Sequence, residues 1–224
     1  MNIIFDMDGV ILDSEKVYLD GYLYAAGILD LPEDLVREAV IRCVGCTEDV
    51  EKRVMDETFG KLESYRFDDA FRLSREYFDE IIRTGRIELK PGAKELLTWL
   101  RDSGIRTGLA SSSPSEAIRI ELGAHNLLDY FDVIISGDMV TKSKPDPEIF
   151  LLCAGRLGIS PEEYGETYII EDSYNGIRAA HASGMQPVMI PDTLPPTKEM
   201  QDLACQILPS LDAVKEWIQK TLTV

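Results

Sequence analysis

The sequence is short of positive charge. Its 224 residues hold 23 Lys and Arg against 40 Asp and Glu, a formal charge of −17. Such a surface repels nucleic acid and anionic membrane, so neither is expected as a partner. An anionic ligand would have to be held by a few individual Lys or Arg side chains. Long apolar runs are missing as well, and none is long enough to span a bilayer. The N-terminus shows no basic region, apolar segment and cleavage site in series, so no export signal is expected and a cytoplasmic location fits. Cysteine is scarce. Of Cys43, Cys46, Cys153 and Cys205 only the first two lie close together, and no second pair completes a zinc site. Reduced thiols in a helical segment are the expected state for Cys43 and Cys46. Repeats, low-complexity stretches and an exposed apolar heptad are absent too, and a monomer is expected. What remains is an ordinary globular balance, 45% apolar and 28% charged, sized for one domain or a domain with an insert.

The most informative stretch is the first. Ile3-Ile4-Phe5 reads as a strand buried on both faces, as in a parallel sheet. It runs directly into Asp6-Met7-Asp8-Gly9. Two carboxylates at the end of a buried strand repel each other and resist desolvation unless a cation or a proton shares the site. Asp-x-Asp-Gly also makes surface turns and parts of calcium loops, so at this point both readings stand.

The following 70 residues read as helices near 15–27, 33–42, 47–59 and 67–84, joined by short loops as in a small bundle. Phe71, Phe78, Ile81 and Ile82 mark one face of the fourth. From residue 91 a helix and then alternating strands and helices follow. Strands are expected at 105–110, 131–135, 167–170 and 187–190, with helices at 114–122, 147–157 and 175–183 between them. A short strand and a closing helix are expected within 203–222. The fold class that follows is α/β, a Rossmann-like parallel sheet with an inserted α-helical bundle. Residues 1–14 and 88–224 would form the discontinuous core, and 15–87 a helical cap. The insert departs just after the two aspartates, which makes it a candidate lid over the strand ends where ligands bind in open α/β sheets.

Polar residues recur at those ends. Ser111-Ser112-Ser113 precedes a helix, either as an anion site or as an ordinary N-cap. Lys144 stands before Pro145 at another helix start, either aimed at a phosphate or solvated in its loop, with Lys142 a weaker candidate. Glu171-Asp172-Ser173 repeats the opening pattern of apolar strand followed by acids. With Asp6 and Asp8 these acids suit Mg²⁺, unless Asp172 or Ser173 serves only as a helix cap. Each signal is modest alone, but all fall on one edge of one sheet.

Asp6-Met7-Asp8-Gly9-Val10, Ser111, Lys144 and Glu171-Asp172 resemble, in order and spacing, the four motifs of the haloacid-dehalogenase-like phosphohydrolases. The likeness covers essentially the whole chain, the insert resembling that family's type-one cap. Within the family it is most similar to the β-phosphoglucomutase and phosphoglycolate-phosphatase branch. The resemblance implies a phosphatase for a small phosphorylated metabolite, with Asp6 as nucleophile and Asp8 as general acid and base. It implies Mg²⁺ on Asp6, the Asp8 carbonyl and Asp172, with Glu171 orienting the ligands. Ser111, Ser112 and Lys144 would bind phosphate. Gly45, Thr47 and Glu48 would form a substrate-facing cap loop, with Tyr18 nearby. Tyr18 stands where a β-phosphoglucomutase has histidine and Glu48 where it has arginine, which favours a phosphatase over the alternative, a phosphosugar mutase. A dehalogenase has no use for an acid at Asp8, and a phospho-accepting receiver domain is about half this length.

Overall fold

The computed structural model describes residues 1–43 and 48–222. The chain begins with strand β1 (Asn2–Phe5) and passes into helices α1 (Ser14–Leu29), α2 (Glu33–Cys43), α3 (Glu48–Phe59) and α4 (Phe67–Thr84). Alternation follows: α5 (Ala93–Asp102), β2 (Arg106–Ala110), α6 (Ser115–Ala124), β3 (Val133–Ile135), α7 (Glu148–Arg156), β4 (Thr167–Glu171), α8 (Tyr174–Ala182) and β5 (Gln186–Met189). The chain ends with α9 (Lys198–Leu203), β6 (Gln206–Ile207) and α10 (Leu211–Leu222). The short helix α9 escaped the sequence reading. It starts where the Thr197 hydroxyl oxygen accepts from the Met200 N–H, and it buries Met200 completely.

The six strands among the described residues are all parallel, in the order β3-β2-β1-β4-β5-β6. Strand β1 is central, and this follows from its sequence. Ile3 and Phe5 point into one apolar cluster and Ile4 into the other, all three with no exposed surface. A strand apolar on both sides is stable only with helices on both faces. The register pairs Phe5 with Leu109 on one side and with Ile170 on the other. The carboxyl ends of β1, β2 and β4 therefore lie side by side.

The helices α1 to α4 enclose their own apolar cluster, which includes Tyr22, Val40, Met55, Phe59 and Phe67. The buried thiol of Cys43 belongs to it; Cys46 lies outside the described residues. The apolar stripe on α4 is divided in use. Phe71 packs on the helical cluster, whereas Ile81 and Ile82 pack on the core beside the sheet. The two chain crossings between these regions are hydrogen-bonded to each other. The Asp13 N–H donates to the Glu88 carbonyl at 2.8 Å, and the Lys90 N–H to the Ile11 carbonyl at 2.8 Å. Among the described residues no helix is long and apolar enough to cross a membrane.

One core residue conflicts with its surroundings. Glu121 on α6 is 1% exposed, and neither of its carboxylate oxygens has a well-formed hydrogen bond, only the Ile87 backbone lying near enough to favour its charge. Burial pushes its carboxyl up to about 7, with a smaller rise from Asp8 and a partial offset from the Ile87 backbone. The folded state thus keeps a proton that the unfolded chain releases near pH 4.5, and its stability falls as pH rises from there to about 7. Glu121→Leu should remove that penalty. In urea melts its stability relative to the wild type should grow between those pH values, by on the order of 2 kcal/mol.

Candidate active site

The site is assembled by register. Asp6 follows β1 directly, Ser111 follows β2, and Glu171 ends β4, so adjacent parallel strands deliver them to one place. Beyond Asp6 the chain turns at once, with the Ile11 and Leu12 N–H groups both donating to the Met7 carbonyl. Gly9 lies in this turn with φ +74°, and a Cβ there would overlap the Asp172 carboxylate. The turn therefore packs bare backbone against the second acidic strand end.

Lys144 occupies the centre. Its Nζ donates to Asp6 Oδ1 at 2.6 Å, to Glu171 Oε1 at 2.7 Å and to the Ala110 carbonyl at 3.3 Å. It also lies 4.8 Å from the Phe150 ring centroid. Lys144 and both carboxylates are almost fully buried. Burial alone would lower the lysine, but Asp6 and Glu171 outweigh it and hold the ammonium charged. For Asp6 the balance runs the other way. Burial pushes its carboxyl up to about 7, with Lys144 opposing and Glu171 and Asp8 adding to the rise.

Asp172 completes an acidic group, with oxygens of Asp6, Glu171 and Asp172 all within 4.8 Å of one another. Burial first, and then Glu171 and Asp6, hold the Asp172 carboxyl well above its ordinary range. Three carboxylates and one ammonium leave negative charge in excess, which fits a divalent cation. Glu171 is already engaged: Oε1 accepts from Lys144, and Oε2 from the Ser173 N–H and hydroxyl. This leaves Asp6 and Asp172 as the better ligands.

Above these groups opens a cavity of about 540 Å³. Asp6, Asp8, Ser112, Lys144, Glu171 and Asp172 line its floor, as the sequence leads one to expect. Ser111 is fully buried beneath it, its hydroxyl donating to Asp8 Oδ2 at 3.3 Å. Lys142 stays on the surface, paired with Asp146 at 3.4 Å.

The helical side of the cavity differs from expectation. Tyr18 is not among the lining residues; its hydroxyl donates to Glu51 inside the helical cluster, joined by that of Tyr22 on the same oxygen. Burial and this acid push the Tyr18 hydroxyl up. Helix α2 instead presents Ile41 and Arg42, and α1 presents Glu15, to the cavity. Burial, with Asp192 and Asp8 adding to it, raises the Glu15 carboxyl to about 7. Gly45 and Thr47 lie outside the described residues, and Glu48 is the first residue of α3. The sequence reading also missed Arg178 and Leu194 on the core side of the wall. Neither stands in a pattern that sets it apart from surface residues.

A buried carboxylate beside a fixed ammonium, under an open cavity, is suited to attack an electrophile while an anion is held in place. Comparison with known proteins agrees. The family model for haloacid dehalogenase-like hydrolase matches residues 3–190. The phosphorylated carbohydrates phosphatase of Thermotoga maritima is 32% identical over 191 residues, covering 83% of this chain and 82% of its own. The phosphoglycolate phosphatase of Salmonella typhimurium is 33% identical over 207 residues, covering 83% and 79%. Among solved structures, the β-phosphoglucomutase of Clostridium difficile superposes with a TM-score of 0.69 at 26% identity, covering 98% of this chain and 95% of that one. The chain belongs to the haloacid dehalogenase-like hydrolases, in the branch that holds β-phosphoglucomutase and phosphoglycolate phosphatase.

Proposed function

We propose that the protein is a Mg²⁺-dependent phosphatase that hydrolyses a small phosphomonoester, such as a sugar phosphate, through a phosphoryl group carried on Asp6. The observation that carries this reading is the Asp6–Lys144–Glu171 arrangement at 2.6 and 2.7 Å, with Asp172 beside it, on the floor of the cavity. Relatives named as phosphatases support it.

In this reading Asp6 attacks phosphorus, and Asp8 gives a proton to the leaving oxygen and later takes one from water. Lys144 holds the transferring phosphoryl oxygens and favours the ionised form of Asp6 against burial. Ser111 and the Ser112 N–H hold further phosphate oxygens at the start of α6. The Asp6 and Asp172 carboxylates and the Asp8 carbonyl would hold Mg²⁺. When bound, the ion neutralises charge on the phosphoryl group. Glu171 orients Lys144 and the loop after β4. Residues 1–14 and 88–224 act as the catalytic core, and 15–87 as a cap that selects the substrate through Ile41 and Arg42. The open volume is several times that of a phosphate group, which leaves room for a sugar-sized leaving group.

The test is phosphate release from a panel of sugar phosphates, phosphoglycolate and nucleotides, with Asp6→Asn as the blank. Turnover should require Mg²⁺, and no Mg²⁺-dependent release from any monoester would refute the reading. The ion also leaves a signature in stability. Saturating Mg²⁺ should raise the melting temperature of the wild type, a stabilisation of about 2.7 kcal/mol at 100 times Kd. Metal-free Asp172→Asn should melt above the metal-free wild type, because a repelling carboxylate is gone, and should barely respond to Mg²⁺.

A further inference from the structure

Three consecutive serines follow β2, and the structure gives them different work. Ser112 is exposed and lines the cavity, whereas Ser111 is fully buried. Ser113 makes the shortest contact to the Asp8 side chain: its hydroxyl donates to Asp8 Oδ2 at 2.7 Å. The Ser111 hydroxyl reaches the same oxygen at 3.3 Å, and it accepts from the Ser113 N–H at 3.0 Å.

The loop carrying these groups is fixed on both sides. The Ser111 N–H donates to the Ile135 carbonyl at 3.0 Å, and the Gly137 N–H donates to the Ser113 carbonyl at 3.0 Å. Gly137 runs so close that a Cβ there would overlap the Ser112 carbonyl oxygen. The Ser113 hydroxyl is therefore delivered by rigid backbone, not by a mobile tip.

We propose that Ser113 is a positioning residue for the acid–base step: its hydroxyl anchors Asp8 by Oδ2 and so aims Oδ1 at the leaving oxygen. Of the two hydroxyls on this oxygen, that of Ser113 makes the shorter contact, 2.7 Å against 3.3 Å for Ser111. This proposal rests on the phosphatase reading above. In the first step the Asp6 oxygen forms a bond to phosphorus, the bond from phosphorus to the ester oxygen breaks, and the proton on Asp8 passes to that oxygen. A misaimed Asp8 hinders only a leaving group that needs the proton. The value of kcat/KM reports this first step, whichever step limits kcat.

The experiment compares Ser113→Ala and Ser113→Thr with the wild type, on an alkyl phosphate and on p-nitrophenyl phosphate, whose phenolate leaves without help. Ser113→Ala should lose about 10- to 100-fold in kcat/KM on the alkyl ester and less than about threefold on the nitrophenyl ester, with Ser113→Thr recovering most of the loss. Equal losses on both esters, or no loss on the alkyl ester, overturn the proposal. A wild type that releases no phosphate from either ester refutes the phosphatase reading itself, a separate result.

Discussion

Asp6→Asn should lower phosphate release by at least about 10⁴-fold, as the loss of a covalent nucleophile does elsewhere. The amide matches the carboxylate in shape and cannot attack phosphorus. The loss should not come from unfolding. Asp6 is 6% exposed, and its carboxyl sits near 7 because burial disfavours the charge. Neutralising it removes a repulsion with Glu171 and Asp8, and Lys144 keeps Glu171 as a partner at 2.7 Å. In the absence of metal the variant should melt at or above the wild-type temperature. A variant that is both inactive and strongly destabilised would show that Asp6 is structural.

Lys144→Met should have the largest effect on stability. It leaves Asp6, Glu171 and Asp172 within 4.8 Å of one another without the ammonium that bonds two of them. Breaking a buried pair by removing one partner typically costs about 3–5 kcal/mol. The sign of its pH dependence follows from linkage. Without the ammonium the folded Asp6 and Asp172 carboxyls move further above the ordinary value near 4, so the folded variant holds protons that the unfolded chain has released. The deficit should therefore grow as pH rises from about 4 through 7, and shrink toward acid. Urea denaturation at pH 5 and pH 8 measures this. An equal deficit at both pH values would mean that Lys144 contributes through packing against Phe150 and not through charge.

The parts of the site that were legible in the sequence share one property: strand register fixes them. Ile3-Ile4-Phe5 reads as a strand buried on both faces, and in such a sheet the next residue lies at the ligand-binding edge. Asp6, Ser111 and Glu171-Asp172 were placed by that logic, and Lys144 by the helix start beside it. What was not legible depends on contacts between distant elements. Ser113 stands beside two identical residues, and only the fold of the loop, bonded to Gly137, shows that its hydroxyl makes a shorter contact to Asp8 than that of Ser111. The family resemblance put Tyr18 beside the substrate-facing cap loop. The buried Glu51, 33 residues further along, draws it inward. Glu121 follows apolar residues in an amphipathic helix and reads as surface. It is buried because α4 returns to pack on α6.

The central claim is that phosphate passes through Asp6. The most direct measurement is mass spectrometry of peptides from an acid-quenched single turnover with p-nitrophenyl phosphate and Mg²⁺. One phosphoryl group should appear on the peptide carrying Asp6, rise before free phosphate does, and be missing from Asp6→Asn. Phosphate release with no phosphoryl group on that peptide, or with one on another residue, would contradict the account.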